Sequence, residues 1–112
     1  MSNLSIHRQM TNEGVLRLAI TGEVDLDTAG LLTGAISNVI SAGHIGELIV
    51  DLDQVTFLDA AGISSLIRGH NLALAFGVTC LVTNPHGLAY RVLDITGVLR
   101  LLTERPRPSE LP

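Results

Sequence analysis

Acidic side chains recur at the predicted ends of strands, where an α/β sheet usually forms its site. Carboxylates in such positions could accept a phosphoryl group, bind a metal ion or act as general acids and bases. The acidic residues are Glu23, Asp25, Asp27, Asp51, Asp53 and Asp59. Each of these chemistries also needs partner residues, so the rest of the sequence decides between them.

A phosphoacceptor receiver domain has a similar length, but it needs a lysine that stabilises the acyl phosphate. This chain has no lysine, because all seven of its basic residues are arginine. Its first strand also ends without the acidic pair that a receiver requires. A lysine-dependent phosphate-binding loop is excluded for the same lack of lysine.

A carboxylate metal site or a hydrolase would need further ligands or an activated nucleophile. The four histidines, His7, His44, His70 and His86, are scattered without metal-ligand spacing. No serine stands in a nucleophile elbow. Strand-end aspartates more often cap helices and form turns than bind metals. We therefore predict a protein that is not an enzyme and that holds no cofactor or metal.

Charge and hydropathy exclude two further classes of partner. The net charge is −4, aromatic residues make up 3% of the chain, and no basic patch occurs, so we expect no nucleic-acid binding. No apolar run approaches the roughly 20 residues of a membrane span, and the first 17 residues lack a signal-peptide stretch. Cys80, the single cysteine, lies in an apolar run typical of core packing. The sequence predicts a cytoplasmic protein without membrane contact.

The elements that position these residues alternate in type, which predicts one α/β domain with a mixed sheet covered by helices. The domain spans residues 1–103, and the proline-rich residues 104–112 are predicted to form a flexible tail. In the first half of the chain we predict strands at Leu4–Arg8 and Val15–Thr21, a helix from Asp27 or Thr28 to Gly43, a strand at Glu47–Leu52, and a short loop or strand at Asp53–Leu58. In the second half we predict a helix from Asp59 to Phe76, a strand at Val78–Val82, a helix from Pro85 to Asp94, and a last extended piece after Leu99.

Helical spacing divides the second helix into two sides. The inner side carries Ile63, Leu66, Ile67, Ala73 and Leu74, and the outer side carries Ala61, Ser64, Ser65, Arg68 and Leu72. The outer side is small and weakly charged, so it is either a protein-binding surface or an ordinary solvated face. His70 falls on the inner side, where we expect a buried ring with a hydrogen-bonded nitrogen.

Three segments in this order resemble the STAS domain, and most closely that of the bacterial anti-sigma factor antagonists. They are Gly22–Asp25 ahead of a helix, Leu48–Leu52, and Phe57–Ile63 leading into a helix. The resemblance runs from Leu4 to Leu102. It implies a single STAS domain whose mixed β-sheet has four to five strands, with helices packed mainly on one face.

The resemblance also implies a function. Family antagonists bind an anti-sigma factor, typically a serine kinase of the histidine-kinase-like ATPase type, and so release a sigma factor. The kinase inactivates the antagonist by phosphorylating a serine or threonine just before the glycine of the third segment. Here that position is Ala61, preceded by Ala60, and alanine has no hydroxyl group. We therefore expect a constitutive antagonist, unless Ser64, Ser65 or Thr56 serves as an alternative phosphosite.

The residues expected to contact the partner follow from this resemblance and from the outer side of the second helix. They are Glu23, Asp25, Asp59, Ala60, Ala61, Gly62, Ser64, Ser65, Arg68 and Leu72. Asp25 and Asp59 also have local roles, as a turn former and a helix cap. The alternative function is a non-phosphorylatable STAS scaffold or a ligand-binding subunit of a larger signalling assembly. For an antagonist, we expect a monomer or weak homodimer.

Overall fold

The computed structural model describes residues 3–105, and it begins with the predicted hairpin. Strand β1 (Leu4–Asn12) pairs antiparallel with β2 (Val15–Val24). The turn contains Gly14, whose φ of +76° is a conformation that side chains with a Cβ rarely adopt. The predicted tail at residues 104–112 falls almost wholly outside the described residues and stays a prediction.

The sheet is completed by β3 (Glu47–Leu58) and β4 (Thr79–Thr83), which run parallel to β2 in the order β1-β2-β3-β4. The predicted mixed sheet is confirmed, with four strands among residues 3–105. Of the loop and the strand predicted for Asp53–Leu58, the strand forms, because this segment continues β3 along β2 after a shift in register. Alternate residues of the strands are buried on one face of the sheet, among them Leu16, Leu18, Leu48, Val50, Cys80 and Val82.

Two long helices pack against each other. Helix α1 (Ala29–Ala42) follows Thr28 and ends at Gly43, and helix α2 (Ala60–Ala75) follows Asp59. Contact between the helices is close at Gly69, where a Cβ atom would lie 2.6 Å from Cδ1 of Ile36. Both helices agree with the prediction, and each buries an apolar stripe in the core.

The end of the described chain differs from the prediction. Helix α3 (Gly87–Ile95) begins two residues after Pro85, so Pro85 precedes the helix instead of opening it. The extended piece predicted after Leu99 is wrong, since this segment forms helix α4 (Leu99–Thr103). Leu102 is only 1% exposed, and Val98 and Leu99 pack against the same core. A helical turn places Val98, Leu99 and Leu102 on one side, whereas in a strand Leu99 would face away from Leu102.

Candidate functional site

The start of α2 is held against the end of β2. An oxygen of the Asp59 carboxylate accepts a hydrogen bond from the Gly62 N–H at 3.1 Å, which caps the helix. The Asp59 N–H donates to the Val24 carbonyl at 3.3 Å. A Cβ on Gly62 would lie 2.6 Å from that carbonyl oxygen and 2.5 Å from Cδ1 of Leu58. Only glycine allows this approach, which brings the two predicted site segments together.

Glu23 and Asp25 lie at this junction, and both make local hydrogen bonds. An oxygen of the Asp25 carboxylate accepts from the backbone N–H groups of Asp27 and Thr28, at 3.0 and 3.1 Å. Glu23 accepts from the side-chain amide of Asn3 at 2.9 Å. The turn-forming role expected for Asp25 and the capping role expected for Asp59 are confirmed, whereas their contact with a partner stays a prediction.

The outer side of α2 forms one wall of a groove, and α1 forms the other wall. Ser64 and Arg68 are exposed on the α2 wall, and Ala61 is half-buried there. The groove has a volume of about 660 Å³. Its lining consists of Leu26, Ala29, Gly30, Thr33, Gly34, Ser37, Ala61, Ser64, Ser65 and Arg68. Arg68 is the only charged residue in that lining, so the groove presents small, uncharged surface with one cation.

The helical periodicity of the sequence predicted the α2 wall of the groove but not the contribution of α1. The sequence does contain a signal for this wall, which is the pair Gly30 and Gly34 one helical turn apart. Each glycine lowers the stability of the helix by about 1 kcal/mol relative to alanine. Glycines at that spacing give a helix a flat face, and here that face lines the groove. Of the remaining predicted contacts, Ala60 is exposed and Leu72 is half-buried.

Ser65 does not lie on an exposed face, so its assignment to the outer surface is wrong. It is 2% exposed, and its hydroxyl group lies 2.8 Å from that of Thr33 and 3.0 Å from the Ala29 carbonyl. The helical spacing of apolar residues did not predict this burial, because it depends on small residues that let α1 approach this side of α2 closely. Phosphorylation of Ser65 would require the two helices to separate, whereas the Ser64 hydroxyl is accessible.

His70 is buried on the inner side of α2 as predicted, with 8% of its surface exposed. The expected hydrogen bond is not found at Nδ1, which is buried without a partner in the part of the chain that the structure describes. His70 is not among the residues that line the groove, so it takes no part in that surface.

The buried carboxylate of Asp51 joins three segments of the chain. It forms an ion pair with Arg17 of β2 and accepts hydrogen bonds from the Asn84 amide and the Asp53 N–H, at 3.0 and 2.9 Å. Burial alone would raise the pKa of Asp51. The hydrogen bonds from Asn84 and Asp53, together with Arg17, outweigh burial and hold that pKa below its usual value of 3.8. These contacts occupy the carboxylate oxygens of Asp51, which gives the residue a structural role.

Within residues 3–105, no cluster of histidine, cysteine and carboxylate side chains is suited to hold a metal ion. None of the helices in that range has the length and hydropathy that crossing a membrane requires. Burial raises the pKa of the Cys80 thiol to about 12, so the thiolate does not form near neutral pH.

Comparison with known proteins identifies the fold. The family model of the STAS domain matches residues 9–110. An anti-sigma factor antagonist from Mycobacterium paratuberculosis superimposes with a TM-score of 0.74 at 23% identity, covering 96% of this chain and 90% of that one. The phosphorylated form of the Bacillus cell fate determinant SpoIIAA gives a TM-score of 0.63 at 21% identity, with 95% of each chain covered.

A sulfate transporter family protein from Wolinella succinogenes is also similar, with a TM-score of 0.73 at 21% identity over 86% of this chain and 77% of that one. Identities this low establish a shared fold and leave function open. The family match, in contrast, covers most of the sequence and includes β2, β3 and the start of α2. The chain therefore belongs to the STAS domain family.

Proposed function

We propose that this protein is an anti-sigma factor antagonist that acts in the cytoplasm and binds an anti-sigma factor of the serine kinase type. Binding would release the sigma factor that the anti-sigma factor holds. The observation that carries the proposal is the surface at the start of α2, where Ala61 lies half-buried in a groove whose lining is small and uncharged apart from Leu26 and Arg68. The Mycobacterium paratuberculosis protein and SpoIIAA are both anti-sigma factor antagonists, which supports the same function.

Ala61 occupies the position where the family resemblance expects a phosphorylated hydroxyl group. A phosphate there would add nearly two negative charges, which a partner would have to desolvate on binding. Asp59, whose carboxylate caps the same helix turn, would repel that phosphate. Because alanine cannot be phosphorylated, the surface keeps the neutral form, and we propose that binding is constitutive with respect to this modification.

Calorimetry with the anti-sigma kinases encoded in the same genome tests the proposal, using the wild type beside an Ala61→Asp variant. We expect micromolar or tighter binding by the wild type and at least about a tenfold loss in the variant, equivalent to 1.4 kcal/mol. The aspartate should not unfold the protein, because a negative charge in the first turn is favourable with the helix dipole.

Ala75→Asp is the matched control, since Ala75 is an exposed alanine at the other end of α2. It lies about 21 Å along the helix axis from Ala61 at 1.5 Å per residue. Unchanged binding by this control would assign the loss to the start of the helix. If the wild type binds none of the candidate kinases, the antagonist proposal fails and the scaffold or ligand-binding alternative takes its place.

A further inference from the structure

The glycines of helices α1 and α2 differ in what surrounds them. At Gly62 a Cβ atom would lie 2.6 Å from the Val24 carbonyl oxygen, and at Gly69 it would lie 2.6 Å from Cδ1 of Ile36, so both glycines stand in close internal contacts. At Gly30 and Gly34 a Cβ atom would meet nothing within 4 Å, and neither residue has a positive φ. Each lowers helix stability by about 1 kcal/mol relative to alanine. Packing within the protomer gives no reason for this pair, which lies in the groove wall formed by α1.

A large apolar side chain stands beside the same groove. Leu26 lines it and is 81% exposed, the highest value among the large hydrophobic residues of the described chain. It lies in the segment between β2 and α1, followed directly by the exposed Asp27. The exposed Leu26 side chain and the groove wall that contains Gly30 and Gly34 therefore form one continuous surface.

The charges of this surface are also complementary to each other. Arg68 and Asp27 are both exposed, and neither forms an ion pair within residues 3–105. Arg68 lines the groove, and Asp27 follows Leu26 directly in the chain, so opposite charges accompany the two parts of this surface. An interface with two-fold symmetry needs this arrangement, because each copy must present both the leucine and the groove, and both charges.

We propose that the groove between α1 and α2 binds a second copy of this chain in a two-fold symmetric dimer. Leu26 of each copy enters the groove of the other over Gly30 and Gly34, and Asp27 of each copy faces Arg68 of the other. We expect a weak dimer, of micromolar or weaker affinity, that forms as the protein concentration rises.

The dimer has a consequence for control of the protein, and this consequence rests on the proposed function. Self-association covers Ala61, Ser64 and Arg68, which are also the residues proposed to contact the anti-sigma factor. The dimer and the antagonist complex then exclude each other. Concentration would control an antagonist that phosphorylation at Ala61 cannot control, because only the monomer is free to bind.

Sedimentation equilibrium of the full chain, from low micromolar to submillimolar concentration, tests the dimer without any anti-sigma factor. We expect a reversible monomer–dimer equilibrium. The charge-reversed variants Asp27→Arg and Arg68→Asp should each weaken it about tenfold or more, because each places like charges opposite one another. Combining the two reversals restores opposite charges, so the double variant should recover most of the dimer.

Gly34→Leu fills the groove and serves as a second test. The helix should tolerate it, because a Cβ at this position meets nothing within 4 Å and leucine has the higher helix propensity, yet it should abolish dimerisation. A monomer at every concentration would overturn the proposal. A dimer that persists in Gly34→Leu, or that the double charge reversal does not recover, would also overturn it by placing the contact elsewhere. These results do not depend on whether an anti-sigma factor binds.

Discussion

The hydroxyl groups of Ser65 and Thr33 lie 2.8 Å apart and join α2 to α1 by a hydrogen bond. Ser65 also donates to the Ala29 carbonyl at 3.0 Å, so its hydroxyl stands at the contact between the two helices. This position excludes Ser65 from the exposed surface that an alternative phosphosite would need, and it leaves Ser64 as the accessible serine of α2.

Ser65→Ala should lower the free energy of unfolding by about 1 kcal/mol, because it removes a buried hydrogen bond between the helices. Ser64→Ala is the matched control and should change that free energy by less than about 0.5 kcal/mol, since Ser64 is exposed. Urea denaturation measures both values. Equal effects of the two substitutions would contradict the assignment of Ser65 to the helix contact.

Glycines of the two helices should respond to alanine in opposite directions. Gly62→Ala should lower the free energy of unfolding by about 1 to 3 kcal/mol, because the new Cβ would lie 2.6 Å from the Val24 carbonyl oxygen. Gly30→Ala should raise it by up to about 1 kcal/mol, since nothing lies near that Cβ. Thermal denaturation of both variants checks the signs. Stabilisation by Gly62→Ala would show that α2 does not approach β2 so closely.

Asp51 should contribute stability that is present above the ordinary carboxyl pKa of 3.8 and is lost below it. Because its pKa is lower in the folded state, the unfolded chain binds the proton more readily, and acid favours unfolding. Asp51→Asn should lower the free energy of unfolding by about 1 to 3 kcal/mol at neutral pH. It should also remove this part of the acid dependence.

Denaturation curves at a series of pH values measure the effect, with Asp94→Asn as the control because Asp94 is exposed. The control should follow the wild type at each pH. An Asp51→Asn variant with unchanged stability at neutral pH would contradict the role of the Arg17 ion pair and the Asn84 hydrogen bond.

The Cys80 thiol should be unreactive toward iodoacetamide in the native protein near neutral pH and reactive in urea. Burial raises its pKa to about 12, so the nucleophilic thiolate is scarce in the folded state. The raised pKa also means that its contribution to stability is complete below pH 9 and is lost as the pH rises toward 12. Mass spectrometry of the alkylated protein provides the measurement, and rapid modification of the native protein would contradict the burial.

The sequence predicted most of the fold, because strong patterns coincide with the elements that form. Leu16, Leu18 and Ile20 alternate with less buried residues in β2, and Asp59 caps α2 as expected. The errors lie where tertiary contacts override a local pattern. Helix α4 forms where the sequence predicted an extended piece after Leu99, because Leu102 packs in the core.

The candidate site was predicted less completely than the fold. Periodicity assigns residues to sides of one helix, but it cannot show which neighbouring element covers each side. It therefore placed Ser65 on the surface and missed the α1 wall formed by Gly30 and Gly34. The approach of β2 to Gly62, which joins the site segments, also depends on contacts between residues far apart in sequence.

Constitutive antagonism is tested most directly by sigma-factor release. This protein is titrated into a preformed complex of sigma factor and anti-sigma kinase with ATP present, and gel filtration measures the free sigma factor. We expect the wild type to release sigma factor and to continue to do so over time. An Ala61→Ser variant should release it at first and then lose activity as the kinase phosphorylates the new hydroxyl group. If the wild type releases no sigma factor at any ratio, or loses its activity with ATP as the serine variant does, the proposed constitutive antagonist is contradicted.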